Sequence, residues 1–533
     1  IPGVTFLDQG VGRNTVVVRG LVVDTEFPGG SGGNTVGVYL GEVPITGLSA
    51  LDGSADIRMV DLDRVEVLRG PQGTLFGSGA LAGAVRNVPK APDLQEFGGY
   101  FKATYSNTTG NGSGNDKVEG VLNIPIVEDV LALRAVAYRH EASGYVKNIA
   151  GTQLANDGVV SSNFSAADAV AAWSGSELYQ DRGDIGNSTY TGGRISALWK
   201  PTDDFSATLQ FITQDVEQEG WPYVQINTGG YTQVALSYGD ALPGQNEGLK
   251  DDISITNLVL DYDLGWASLM SSSSWLEEDG GWSNDLSPFF GGIPVARPFE
   301  SSNESFAEEM RLVSQFDGPT QFILGLYYED VELVGSNPFF ALTDLALVDR
   351  FGAPFGVNNP LIQEALEVRE TEQKAIYGEV SHDLSDQLEI TLGFRRFDYD
   401  RSRFNLSAGA VGGARDIRTE FSEKGTSLKA NVSFKPNDDT LIYGQWAEGF
   451  RLGDNTFPIP ASLCDVNNDG IFDGTDSPLS DSFDSDSVEN FELGTKLSLA
   501  EQRIQVNASV YQVDWKDIPL QVFAGQLPSQ AAK

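Results

Sequence analysis

Asp63-Arg64-Val65-Glu66-Val67-Leu68-Arg69-Gly70-Pro71-Gln72-Gly73-Thr74-Leu75-Phe76-Gly77 reads as a short strand running into a turn that carries three glycines and a proline. Val65 and Val67 alternate with charged neighbours and ask for one buried face. Gly70-Pro71 and Gly73 take backbone angles closed to other residues, so the strand ends abruptly in a shaped loop. A glycine-rich turn after a strand also suggests a phosphate loop. That reading fails on chemistry: no Lys-Ser or Lys-Thr follows Gly77 to reach phosphates and magnesium, and Ser78-Gly79-Ala80-Leu81 opens a helix poorly.

The surrounding residues 1–96 share this grammar. Val16-Val17-Val18-Arg19-Gly20 and Gly37-Val38-Tyr39-Leu40-Gly41-Glu42-Val43-Pro44 are further short strands divided by glycine-rich turns, which predicts a small, glycine-dense domain. Pro89-Lys90-Ala91-Pro92-Asp93 reads as a linker, because two close prolines exclude both helix and central strand.

From Gly98 onward, over residues 97–533, the rhythm changes to strands of about ten residues, long enough to cross an outer membrane when tilted. Phe205, Ala207, Leu209 and Phe211 alternate with Ser206, Thr208 and Gln210. Leu388, Ile390, Leu392 and Phe394 repeat the pattern, as do Leu428, Ala430, Val432 and Phe434. A soluble sandwich also alternates, with its apolar face inward. The connections discriminate. Tight turns at Pro201–Asp204, Phe316–Pro319, Leu384–Gln387, Pro436–Asp439 and Leu499–Gln502 are separated by long polar or aromatic loops, for instance Glu219–Asp251, Asp279–Ser301 and Gly453–Val488. Short turns on one side and long loops on the other indicate an all-β transmembrane barrel with the long loops extracellular. About fifteen strands are expected, an odd number where bacterial single-chain barrels are even, so further strands are expected beyond the chain.

Composition bounds the rest. Asp and Glu outnumber Lys and Arg by 75 to 35, for a formal charge of −40, yet 40% hydrophobic and 10% aromatic residues predict a folded chain. Such an acidic chain is a poor nucleic-acid binder. It suits a saline exterior or a surface rich in divalent cations, or serves simple solubility. The lone Cys464 excludes an internal disulfide, and two His exclude a His-rich metal site. No stretch of about 18 apolar residues or signal peptide is visible, and both ends read as truncated.

Three stretches carry a family resemblance. Val38 to Pro44, Asp61 to Gly77 with Val-Glu-Val-Leu-Arg-Gly-Pro-Gln-Gly-Thr-Leu-Phe-Gly, and Gly83-Ala84-Val85 resemble the plug domain of TonB-dependent outer-membrane receptors. Tyr443–Arg451 and Glu489–Lys496 resemble the barrel of that family. Arg86-Asn87-Val88-Pro89 departs from the Ile- and Thr-rich sequence usual there. The resemblance implies an N-terminal α+β plug of roughly 130 to 150 residues inside a 22-stranded barrel, so that the TonB box, the start of the plug and about seven final strands lie outside this chain. It also implies an importer in the Gram-negative outer membrane, surrounded by lipid and lipopolysaccharide. There an external small molecule (a ferric siderophore, haem, cobalamin or a glycan) binds loops and plug apex, and TonB, driven by its inner-membrane complex, pulls on the plug.

Within that frame the motif glycines and proline, Gly70, Pro71, Gly73 and Gly77, serve plug packing. Arg19 and Arg69 stand at strand ends in the plug, and the resemblance implies barrel carboxylate partners. Glu492 is the candidate, since Phe491 and Leu493 share the opposite face and turn Glu492 to the lumen. Alternatively both arginines bond plug carbonyls. In the longest loop, Asp465, Asn467, Asp469, the Ile471 carbonyl, Asp473 and Asp476 match the positions of an EF-type calcium loop with Gly470 at position 6. A structural Ca2+ stiffening an extracellular loop is expected, against a solvated acidic loop. Asp481, Asp484 and Asp486 continue the acidic run as further cation candidates, and Cys464 pairs outside this chain or stays free. Trp221, Tyr223, Trp282, Phe289, Phe290, Phe339 and Phe340 are candidate ligand-stacking residues or members of an interfacial aromatic belt.

An enzyme needs a catalytic constellation, and His140 and His382 have no partner motif. A passive pore or adhesin has no use for a plug. The expectation is an importer, with an iron complex first among ligands and a glycan or other nutrient as the alternative.

Overall fold

The computed structural model describes residues 2–8, 10–12, 14–22, 34–46, 55–149, 181–222, 224, 232–233, 247–285, 295–341, 361–409, 414–455, 467, 469, 471 and 482–518. The N-terminal unit holds strands β1 (Val4–Asp8), β2 (Asn14–Val18), β3 (Val36–Leu40), β4 (Val43–Pro44), β5 (Leu62–Arg69) and β6 (Gly83–Pro89), and one helical turn, α1 (Gly73–Phe76). β1 and β2 pair with each other, while the other four form a sheet in the order β4-β3-β6-β5. Gly37–Pro44, expected as one strand, is a hairpin that turns at Gly41 with φ +62°.

The deciding stretch turns at Gly70 and Gly77 as read, but departs at Gly73, which opens the helical turn α1 with an ordinary backbone, and at its strand. β5 ends at Arg69, Gly70 takes φ +87° and Gly77 takes φ +70° on either side of α1. Val65, however, is 50% exposed. β5 is the edge of its sheet and its register slips between Leu62 and Arg64, so only Val67 packs against the core of Val18, Val36, Ala82 and Val85.

Besides short strands in the loops, the rest of the chain holds β7 (Gly98–Asn107), β8 (Gly114–Val127), β9 (Leu131–Ala142), β10 (Asn187–Thr202), β11 (Phe205–Glu219), β12 (Gly248–Asp263), β13 (Ala267–Asp285), β14 (Val295–Ser314), β15 (Thr320–Ser336), β16 (Leu361–Ser385), β17 (Leu388–Gly409), β18 (Arg415–Asn437), β19 (Thr440–Phe450), β20 (Ser487–Leu499) and β21 (Ile504–Lys516). These 15 strands form one sheet in sequence order, each antiparallel to the next. Neighbour-to-neighbour order with tight turns at one end is an up-and-down barrel wall.

The faces settle which kind of β protein this is. Leu209, Phe211, Leu324, Leu326, Leu392, Phe394, Leu428 and Phe434 point outward and are exposed, whereas Gln214, Asn257, Asn303 and Arg395 of the same sheet point inward and are buried. A water-soluble sandwich would invert that arrangement. An apolar exterior around a polar lumen is stable only with hydrocarbon as the outer solvent. The band is edged at the short-turn side by Trp199, Tyr262, Trp266 and Phe316, with Trp266 stacked on Phe316 at 6.0 Å. Above it, toward the long loops, the outward positions become Asp215, Asp252, Glu277 and Glu304, which places these carboxylates outside the lipid layer.

Candidate functional site

The plug lies in the lumen and meets the wall through side chains and, at Gly79, through backbone. No described plug strand joins the barrel sheet. Arg19 sits just past β2 at φ +57° and directs its guanidinium at β20, where Nη1 donates to Asn490 Oδ1 at 2.9 Å and Nη2 pairs with the Glu492 carboxylate. Tyr443 Oη donates to the other Glu492 oxygen at 2.7 Å, and the Tyr511 ring lies 4.2 Å from the guanidinium carbon. Phe491 and Leu493 are exposed on the outer face, which turns Glu492 inward as alternation requires. Arg69 does not join this pair. Its Nη1 donates to the Pro2 carbonyl at 3.2 Å, because β5, as the outer strand of its sheet, sets the side chain beside β1 instead of the wall.

Two further ionic contacts were not read from the sequence. Asp61, at φ +58°, accepts from Arg134 of β9 through both oxygens, at 2.7 and 2.6 Å, and from Arg194 of β10 at 2.9 Å. Arg194 also donates to the Asp61 and Val60 carbonyls, at 3.0 and 3.3 Å. Glu42 joins Arg86 of the plug to Arg311 of β14, the latter at 2.8 Å. The available signal was alternation: Arg134 occupies the inward phase of a strand whose outward phase is Leu131, Leu133 and Ala135. The segment before Asp61 is held as well, since Gln214 accepts from the Arg58 backbone N–H and donates to the Asp56 carbonyl, both at 2.8 Å.

The motif glycines line the contact with β17 to β19. A Cβ on Gly73 would stand 2.8 Å from the Glu448 carbonyl, and one on Gly77 would stand 3.0 Å from the Arg395 guanidinium. Pro71 lies between Gly70 and α1, and the Gly79 N–H donates to the Phe450 carbonyl at 3.0 Å.

The aromatic candidates divide. Trp221 and Trp282 are buried on the lumen side, in a cluster with Val11, Tyr190, Val216 and Leu249, so neither belongs to an interfacial belt. The Trp221 indole donates to the Ser283 carbonyl at 2.8 Å. Phe339 and Phe340 lie in a short strand against β14 and β16, and Phe339 is half-buried. Tyr223, Phe289 and Phe290 lie outside the described residues.

Of the calcium-loop candidates, Asn467, Asp469 and Ile471 are described, and Asp469 Oδ1 accepts the Ile471 N–H at 2.9 Å. Asp465, Asp473 and Asp476 lie outside the described residues, as do Cys464 and Asp481. Asp486 is buried and accepts both arms of Arg451, at 2.9 and 2.6 Å, and the Trp515 indole at 2.7 Å. Asp484 is exposed. His140 bonds Glu119 at 3.1 Å and His382 bonds Thr320 at 2.8 Å, on different strands.

Residues 179–532 match the family model described as TonB dependent receptor-like, beta-barrel, and residues 1–84 match the TonB-dependent receptor plug domain. Among solved structures, the chain is similar to the ferric yersiniabactin uptake receptor FyuA from Yersinia pestis, at 17% identity and a TM-score of 0.72, over 98% of this chain and 69% of that one. It is also similar to the siderophore receptor PiuA from Acinetobacter baumannii, at 14% identity and a TM-score of 0.60, over 92% and 68%. The copper transporter OprC gives 13% identity and a TM-score of 0.63, over 96% and 66%. At these identities the likeness establishes the fold.

Proposed function

We propose that this chain, which belongs to the family of TonB-dependent receptors, imports a scarce iron complex, in the first place a ferric siderophore, across the bacterial outer membrane. The observation that carries import over passive passage is the mode of plug attachment. A permanent structural filler would be expected to extend the barrel sheet, whereas this plug forms separate sheets and is tied by ion pairs to β9, β10, β14 and β20 and by a single-residue backbone contact of Gly79 with β19. Side-chain ties release without tearing the wall, which suits an occupant that TonB displaces from the periplasm. Iron is favoured because FyuA and PiuA are named for ferric yersiniabactin and for siderophores. The same fold in a copper transporter keeps a non-iron nutrient as the second reading.

In this reading Arg19 and Glu492 are a latch. Glu492→Gln keeps the acceptor for Tyr443 and removes the charge facing Arg19, so plug release should become easier by about 1–3 kcal/mol. Pulling on the N-terminal end of single receptors measures this, and an unchanged rupture force would dismiss the latch. Import itself is tested by radioiron uptake in cells with and without TonB, offering ferric siderophores of different chemistry. Equal uptake in both strains would reject active import, and TonB-dependent uptake of a glycan but of no ferric complex would favour the second reading.

A further inference from the structure

Asp251 of β12 and Glu278 of β13 are carboxylic acids buried in the lumen, 7% and 2% exposed. Asp251 stands opposite Gly280 and Glu278 opposite Ile253, so the two side chains project inward along one diagonal of the ladder. Asp251 is the inward neighbour of Asp252, one of the carboxylates above the lipid-facing band. A Cβ on Gly280 would stand 2.8 Å from Asp251 Oδ1, because the Asp251 carboxyl is folded across onto β13, where it meets the side chain of Glu278.

The pair lies between two apolar clusters at the seam of plug and wall. On one side Ile253 and Leu276 pack with Ile57 of the plug, and on the other Leu249 and Trp282 pack with Val11 of the plug. The wall strands on either side turn neutral groups inward, Gln214 and Val216 from β11 and Asn303 from β14. From the plug, Asp56 adds a further negative charge near Asp251, while Arg58 lies over the Tyr190 ring at 3.6 Å. Residues 223–246 and 286–294, which adjoin β12, β13 and β14, contain no Lys, Arg or His, and Arg13 of the plug lies outside the described residues. Asp56 helps to hold its own segment, since Oδ2 accepts the Gly12 N–H at 3.2 Å and the Tyr190 hydroxyl at 2.8 Å.

Two carboxylates are acceptors only and repel each other, whereas one proton between them makes a donor and an acceptor. We propose that Asp251 and Glu278 share a single proton and act as a proton-operated clasp on the plug. With the proton in place, the segment from Ala55 to Asp61 closes on the wall. Its loss to the medium sets a second negative charge beside Asp56 and loosens that segment.

The direction of the response follows from the burial. Burial, helped by the charges of Asp252 and Asp56, pushes the Asp251 carboxyl up from 3.8 to about 6. A closed seam keeps a proton that an opened one gives up, so the stability it adds is complete below pH 3.8 and is lost as the pH rises through about 6. His140, on the same rung of the wall, works in the opposite direction: burial lowers its pKa, so it disfavours the closed seam as the pH falls.

Hydrogen exchange of the Arg58 amide in the full-length receptor tests the clasp, because that N–H donates to Gln214 Oε1 at 2.8 Å across the seam. Corrected for the intrinsic exchange rate, its opening constant should rise ~10-fold between about pH 5 and pH 8. Asp251→Asn should cut the rise to ~3-fold or less, and Asp251→Asn combined with Glu278→Gln should abolish it. His140→Gln and Arg13→Gln should each keep the rise. A constant that stays flat or falls in both the wild type and His140→Gln would overturn the clasp, and so would a full rise in Asp251→Asn or in the double variant. Should one of these two variants fail to fold, the other decides.

Discussion

Asp61→Asn is expected to weaken plug docking by ~3–5 kcal/mol, the usual cost of stripping one partner from a buried ion pair. Asparagine has the same shape and tolerates the left-handed backbone at φ +58°, so the substitution removes charge and little else. It leaves the guanidiniums of Arg134 and Arg194, each with a side chain 7% exposed, against an amide. Arg194 keeps its two carbonyl acceptors, which places the effect toward the lower end of that range. Scanning calorimetry should show the loss in the plug transition, and limited proteolysis should cut near residues 55–61 sooner. Adding Arg134→Met to Asp61→Asn should recover part of the loss, because the second change withdraws a stranded charge. A single substitution costing under about 1 kcal/mol would show that this ion triad does not hold the plug.

Gly73→Val should unseat the plug from β18 and β19. Gly73 is glycine for closeness: its turn is helical, but a Cβ would lie 2.6 Å from Ser427 Oγ, 2.8 Å from the Glu448 carbonyl and 3.1 Å from Gly449 Cα. The serine can rotate away. The two backbone atoms cannot, and Gly449 in turn has Leu81 Cα 2.7 Å from where its own Cβ would be. Overpacking of this kind costs about 1–3 kcal/mol, with Ala at the low end and Val at or beyond the high end. Denaturant melting should show the lower midpoint, and planar bilayers should show higher conductance as the plug lifts. A wild-type midpoint for the valine variant would mean that plug and wall have room to separate without cost.

Part of the site was legible because it is periodic. Alternation alone turned Glu492 to the lumen, and the same count would have turned Arg134 and Arg194 inward. Their partner was not legible. Asp61 stands in a segment without period, and nothing local says that its backbone is left-handed or that two strands more than 70 residues downstream converge on it. Arg69 shows the opposite failure: it has the same Arg-Gly context as Arg19, yet one faces the wall and the other faces Pro2. Val65 fails for a related reason, since period-2 patterning assigns a face but not whether that face is covered.

Within the opening stretch, the turns at Gly70 and Gly77 were legible in the sequence, because positive φ is a local matter of hard-sphere sterics that glycine meets without strain. The barrel class was equally local in origin, since alternating strands between tight turns specify an up-and-down sheet. Which face of that sheet meets lipid, why Gly73 must be glycine, and which arginine finds a carboxylate were decided only by the tertiary structure. Each depends on what lies across a gap of a few ångströms from a chain segment hundreds of residues away, and such a distance leaves no period in the sequence for either partner to show.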